Sequence, residues 1–139
     1  MRRLSDIILN QHPLSLRPSA TVKEACACMR ERRTGSVLVT DDADHLLGIF
    51  TGRDAVCRVL AAGKDAANTK LSDVMTKAPE TMAADKTVID ALRLMWDGGF
   101  RHVPVLRGGK VVGVVSRGDI KGHEQDRLDE ERDLWEHMR

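Results

Sequence analysis

Two short stretches of this chain pair a hydroxyl with a carboxylate at the same spacing. Thr51 and Asp54 stand in LLGIFTGRD (46–54), and Ser116 and Asp119 stand in VVGVVSRGD (111–119). Each pair follows an apolar run interrupted by a glycine, Gly48 or Gly113, and each encloses an arginine, Arg53 or Arg117. Two chemistries suit a hydroxyl three residues ahead of an acid. One is a helix capping box, in which the hydroxyl accepts from a free backbone N–H and the acid reaches back to the cap. The other is recognition. A helix start offers free N–H groups to an anion such as phosphate, the carboxylate can accept both hydroxyls of a ribose, and the arginine supplies charge to a phosphate. The spacing alone does not choose between them.

The rest of the chain offers little competing chemistry. Cys26 and Cys28 lie two apart in a helical pattern, where side chains do not share a face, and Cys57 is remote in sequence. A metal site would need these thiols to converge by tertiary accident. The five histidines show no paired-ligand spacing, and only His102 falls inside a motif. No phosphate-binding glycine loop or nucleophile–base pattern is present. The expectation is no catalytic residue, no metal and no enzyme activity.

What must position the two motifs is a duplication. LSDII (4–8) returns as LSDVM (71–75), TVKEACACM (21–29) as TVIDALRLM (87–95), SVLV (36–39) as HVPV (102–105), and then the glycine phrases themselves. The offsets are 67, 66, 66 and 65, so the drift is confined to the stretches between blocks. Four blocks in one order at nearly constant spacing mark a tandem repeat.

Each repeat reads as strand, helix, strand, strand, helix. Val22, Ala25, Cys26 and Met29, and again Val88, Ala91, Leu92 and Met95, fall at i, i+3, i+4 and i+7, one buried helical face. The β-branched runs SVLVT with HLLGIFT, and HVPVL with KVVGVVS, flank short polar turns and predict hairpins. A helix is expected after each hydroxyl: the first stops at Gly63, and the second starts at Arg117 and runs toward the tail. The expected organisation is repeat 1 at 3–63, a linker at 64–70 (KDAANTK), repeat 2 at 71–122, and a charged helical tail at 123–139. Halves of about 60 residues bury little core alone, so the two repeats are expected to pack together.

Composition narrows the partners. The 139 residues are 42% hydrophobic and 31% charged, with a net charge of +1, ordinary values for a globular protein. Residues 121–139 carry −3 and residues 1–120 carry +4, too mild a balance for a dedicated nucleic-acid surface. No apolar run is long enough for a membrane span, and residues 1–10 lack a signal-peptide core. Three cysteines in no disulfide spacing fit a reducing, cytoplasmic setting. In the tail, Leu128, Leu134, Trp135 and Met138 form a narrow apolar seam, suited to pairing with a second copy, to a partner, or to lying back on the chain's own domain.

The ordered blocks LSD[IV], TV…A…M, RHVPV and VVGVVSRGD resemble the cystathionine-β-synthase (CBS) domain, and the two copies resemble a CBS pair, or Bateman module. The resemblance covers residues 3–122 and is most like small bacterial proteins built of one such pair. It implies an α+β fold of two pseudo-symmetric β-α-β-β-α repeats that commonly dimerise. It also implies a cleft between the repeats that holds an adenosyl ligand: AMP, ADP, ATP, S-adenosylmethionine or NAD(H). Carried over residue by residue, it implies that Asp54 and Asp119 hold ribose hydroxyls, and that Thr51 and Ser116 contact ribose or phosphate. Val103 and Pro104 would offer backbone beside the base, with Arg101 and His102 near phosphate. Repeat 1 departs from this pattern, since Gly35 and Ser36 replace Arg101 and His102 and Leu38 replaces Pro104. The expectation is therefore unequal sites, with the Asp119 site favoured.

The resulting expectation is a regulatory, ligand-sensing module that needs no cofactor and changes its contact with an unidentified partner protein. The alternative is a structural or dimerising module whose Thr/Ser-x-x-Asp motifs are caps alone.

Overall fold

Both TV blocks fold as their spacing implies. The computed structural model describes residues 2–120. In chain order its elements are α1 (Leu4–Ile7), β1 (Ser15–Leu16), α2 (Val22–Arg32), β2 (Ser36–Thr40), β3 (Leu46–Thr51), α3 (Gly52–Asp54, continued by a π-helical turn over Ala55–Leu60), α4 (Leu71–Val74), β4 (Thr76–Lys77), β5 (Met82–Ala83), α5 (Val88–Gly98), β6 (His102–Arg107) and β7 (Lys110–Ser116). Thr21 and Thr87 cap α2 and α5 through full capping boxes with Glu24 and Asp90. Val22, Ala25 and Met29 are buried on α2, and Val88, Ala91, Leu92 and Met95 on α5. Gly99, at φ 70°, terminates α5. Arg33 does the same for α2 at φ 54°, a conformation a non-glycine residue adopts at some cost.

The chain divides into two compact units, and these are not the two sequence repeats. One unit combines residues 1–11 with 81–108 and 112 onward; the other holds 12–80 with 109–111. The leading LSD block of each repeat therefore packs with the body of the other. Leu4 and Ile8 enter a core with Val88, Ala91, Met95, Val103, Val105 and Val115. Leu71, Val74 and Met75 enter a core with Val22, Ala25, Met29, Val37, Val39 and Phe50. Backbone bonds fix the exchange: Leu4 N donates to Lys86 O and Ser5 N to Ala84 O, while Leu71 N donates to Ala20 O and Ser72 N to Pro18 O. Sequence similarity aligns the LSD blocks with each other but is silent on which body each joins.

The exchange also explains the glycine in each motif. A Cβ on Gly48 would lie 2.7 Å from Met75 Sδ and 2.8 Å from Thr76 O; one on Gly113 would lie 2.6 Å from Ile8 Cγ2. Ile8 and Met75 are equivalent residues of the two LSD blocks, so each glycine is the seat of the exchanged segment.

In the unit containing 12–80 the sheet order is β1-β2-β3-β4, with β1 parallel to β2 and the other pairs antiparallel. The register shifts between Val39 and Thr40, so a bulge beside the longer TDDADH turn accommodates the extra residue of repeat 1. The other unit has three strands, β5-β6-β7, with β5 parallel to β6. Here a side chain takes the place of the fourth strand. Gln11 Nε2 donates to Val114 O at 2.9 Å, and Val114 N donates to Gln11 Oε1 at 2.9 Å. The equivalent residue in repeat 1, Ile49, is paired instead with Thr76 of β4. Gln11→Ala should leave two part-buried groups of Val114 unpaired and cost roughly 1–3 kcal/mol, read as a lower urea midpoint at unchanged slope.

Two sequence expectations need correction or qualification. Among the described residues, which end at 120, the helix expected from Arg117 onward is a 3-10 turn, Arg117–Asp119, and Ile120 is extended. The Ile120 side chain packs on Ile89 and Leu92, which draws the chain out of the helical path. The segment 64–70, expected as a linker, lies within the unit containing 12–80 and is docked there, since Lys23 N donates to Ala66 O and Val22 N to Thr69 O. The tail at 123–139 lies outside the described residues. Trp96, on α5, is 48% exposed.

Candidate functional site

Each Thr/Ser-x-x-Asp motif sits where the second hairpin strand of its unit ends and the chain turns. In both, the residue after the hydroxyl is tied to the start of the neighbouring strand: Gly52 N donates to Gly35 O at 3.1 Å, and Arg117 N donates to Arg101 O at 2.9 Å. The local frame is the same, yet the two carboxylates differ.

Asp54 is closed. Its Oδ2 accepts from Thr51 N at 2.9 Å and from the Thr51 hydroxyl at 3.2 Å. Its Oδ1 lies 3.6 Å from Arg58 Nε, and the residue is buried. Arg58 is itself anchored, donating to the carbonyls of Val74 and Met75. The strand edge beside this motif is closed too, because Leu38 N donates to Leu14 O and Leu38 pairs with Ser15. Arg53 is exposed.

Asp119 is open. Its Oδ2 accepts from Ser116 N at 2.8 Å and from the Ser116 hydroxyl at 3.0 Å, the carboxylate half of a capping box, but the residue is exposed. Among the described residues, Oδ1 has no partner. Arg101 is exposed, and His102 is half-buried within electrostatic reach of both Arg101 and Asp119. Val103 and Pro104 are buried. Pro104 has no N–H, and β5 meets β6 only at Val105 and Leu106, so the Val103–Pro104 edge is unpaired on that side among the described residues. Of the ten residues the sequence singles out, Thr51, Arg53 and Asp54 thus gather in one unit. Arg101, His102, Val103, Pro104, Ser116, Arg117 and Asp119 belong to the other.

Three contributors escape sequence reading. Arg58 closes Asp54 from one helical turn away. Arg2 donates to Asp119 O at 3.4 Å, brought there by the exchange of the leading segment. Trp96 lies under Arg117, whose guanidinium carbon is 5.9 Å from the ring centroid. Only Arg58, at i+4 from an acid, carries a local signal.

Burial holds His102 below the ordinary histidine pKa; Arg101 adds to the effect and Asp119 opposes it. The folded state therefore favours the neutral imidazole. That stability is present above the ordinary histidine value and is lost as pH falls through it, because the unfolded chain then binds more protons. Wild type is expected to lose stability relative to His102→Gln between about pH 7.5 and 5, as checked by urea unfolding across that range.

The thiols are dispersed in character: Cys57 is exposed, Cys26 and Cys28 are half-buried, and burial raises the Cys26 pKa. Among the described residues, no cluster of three or more His, Cys, Asp or Glu is placed to hold a metal, and no helix is long and apolar enough to cross a membrane.

Two α+β units with exchanged leading segments, each ending a hairpin in a capped carboxylate, define a tandem-repeat module. The chain belongs to the CBS-domain family, whose profile matches residues 4–60 and 71–125. It is similar to the CBS domain-containing protein CBSCBSPB2 of Arabidopsis thaliana, 39% identical over 102 residues, which are 73% of this chain and 19% of that protein. The chain thus spans about a fifth of the length of this relative. Among solved structures it resembles a CBS-domain containing protein from Agrobacterium tumefaciens, with a TM-score of 0.78 and 31% identity over 84% of this chain and 94% of the other. It also resembles a CBS domain protein from Pyrobaculum aerophilum complexed with AMP, with a TM-score of 0.80 and 25% identity over 91% of this chain and 98% of the other.

Proposed function

We propose that this chain is a non-enzymatic sensor that binds an adenosyl compound at the Asp119 motif and thereby alters its contact with a partner protein. The observation that carries the reading is the inequality of the two carboxylates. A ribose diol needs an acceptor that is exposed and not fully engaged. Asp119 meets that requirement, whereas Asp54 is buried with both oxygens in use. Ser116 and Asp119 then hold the ribose, the Val103–Pro104 backbone lies beside the base, and Arg101, His102 and Arg117 face the phosphate. Thr51 and Asp54 serve the fold in this reading, and Arg53 stands exposed between them. The AMP complex of the Pyrobaculum relative supports AMP as the first ligand to try, ahead of ADP, ATP, S-adenosylmethionine and NAD(H).

Sensing requires more than affinity. The ligand must bind two states of the protein unequally, since equal binding shifts no population. We further propose that the protein works as a homodimer; Val56 and Leu60, one helical turn apart and 56% and 76% exposed, are apolar surface suited to self-association. The test is isothermal titration calorimetry with the five ligands on the full chain. Saturable binding of one of them supports the reading, and no binding of any of them rejects it.

One observation favours a second reading, a structural module without a ligand: in both motifs the acid already accepts from the backbone N–H and the hydroxyl of its cap residue. It predicts that Asp119→Ala changes stability and nothing else.

A further inference from the structure

Repeat 2 carries an arrangement around Arg117 that repeat 1 does not reproduce. At the positions equivalent to Trp96 and Arg117, repeat 1 has Arg30 and Gly52, and its motif arginine is displaced by one residue to Arg53. Only the second motif therefore brings its arginine over an indole. Trp96 projects from α5, while Arg117 follows β7, with its backbone N–H held by Arg101 O at 2.9 Å. Among the described residues, no carboxylate lies within ion-pair distance of Arg117. Among the described residues its guanidinium is thus held by a ring and not neutralised by an acid. A cation on an aromatic face keeps its full charge, and its N–H groups remain able to meet two oxygens of a phosphate. Arg101, tied to the same backbone bond, adds a second exposed cation beside it.

We infer that Trp96 is a positioning residue that holds Arg117 ready for a phosphate, so that the pair makes the site select phosphorylated adenosyl ligands over uncharged ones. The inference rests on ligand binding at the Asp119 motif and adds to it the basis of selectivity. Trp96 touches the arginine and not the ligand. Its loss is therefore expected to weaken phosphate recognition while leaving recognition of the nucleoside part unchanged.

The test compares AMP with adenosine by calorimetry on the full chain, in wild type, Trp96→Leu and Trp96→Phe. Wild type is expected to prefer AMP. Trp96→Leu should weaken AMP roughly fivefold and leave adenosine unaltered, the scale of one cation–π contact. Trp96→Phe should recover part of the loss. A second readout uses Trp135→Phe, which leaves Trp96 as the sole indole of the chain's two. AMP should change the Trp96 emission as Arg117 engages the phosphate, and adenosine should not. An AMP-to-adenosine affinity ratio identical in wild type and Trp96→Leu overturns the inference while the binding site stands. Equal losses for both ligands do the same. Failure of wild type to bind either compound rejects the site and the inference together.

Discussion

Asp119→Ala is expected to eliminate AMP-dependent stabilisation, while Asp54→Ala is expected to lower stability and leave AMP binding in place. The contrast follows from burial. Asp119 is exposed and caps only a three-residue turn, so its removal as a cap costs about 0.5–1 kcal/mol. In the proposed ligand site it would anchor the ribose as acceptor, and its loss would remove that interaction. Asp54 caps α3, holds the Thr51 N–H and hydroxyl, and faces Arg58. Deleting it leaves those donors without their acceptor, at a cost of roughly 1–3 kcal/mol. A ligand at about 100 times its dissociation constant adds ~2.7 kcal/mol, so thermal unfolding with and without AMP separates the two variants. Equal ligand responses in both would remove Asp119 from the site. A response lost in Asp54→Ala alone would transfer the site to repeat 1.

Leu71→Ala and Leu4→Ala are each expected to cost about 2–5 kcal/mol. Both side chains are 0% exposed, and both belong to four-residue helices that could not persist without tertiary packing. Each leucine anchors an exchanged segment: Leu71 in the core of Val22, Val37 and Phe50, and Leu4 in the core of Val88, Val103 and Val115. Truncation leaves a cavity and loosens the segment seated on Gly48 or Gly113. Hydrogen exchange should show where the damage falls. Leu4→Ala should expose amides of α5 and β6, although Leu4 belongs by sequence to repeat 1. Loss of protection in α2 and β2 instead would contradict the exchange.

Much of this protein is written in local patterns. The capping threonines, the i, i+3, i+4, i+7 faces of α2 and α5, and the hairpin at Gly108–Gly109 are set by residues close in sequence, so their spacing reveals them. The duplication was legible for the same reason, and with it the two hydroxyl–carboxylate motifs and the departure of repeat 1 at Gly35, Ser36 and Leu38. The partners of those motifs are another matter. That Leu4 belongs with Val88, that Gln11 supplies the bonds of a missing strand, and that Arg2 reaches Asp119 are contacts between residues up to 117 apart, and no local pattern records them. The unequal fate of Asp54 and Asp119 is of this kind as well. Two equivalent acids in equivalent turns differ because Arg58 and a closed strand edge surround one, and open surface surrounds the other. Periodicity and capping are properties of the chain, whereas burial and charge pairing are properties of neighbours, and only the folded structure chooses the neighbours.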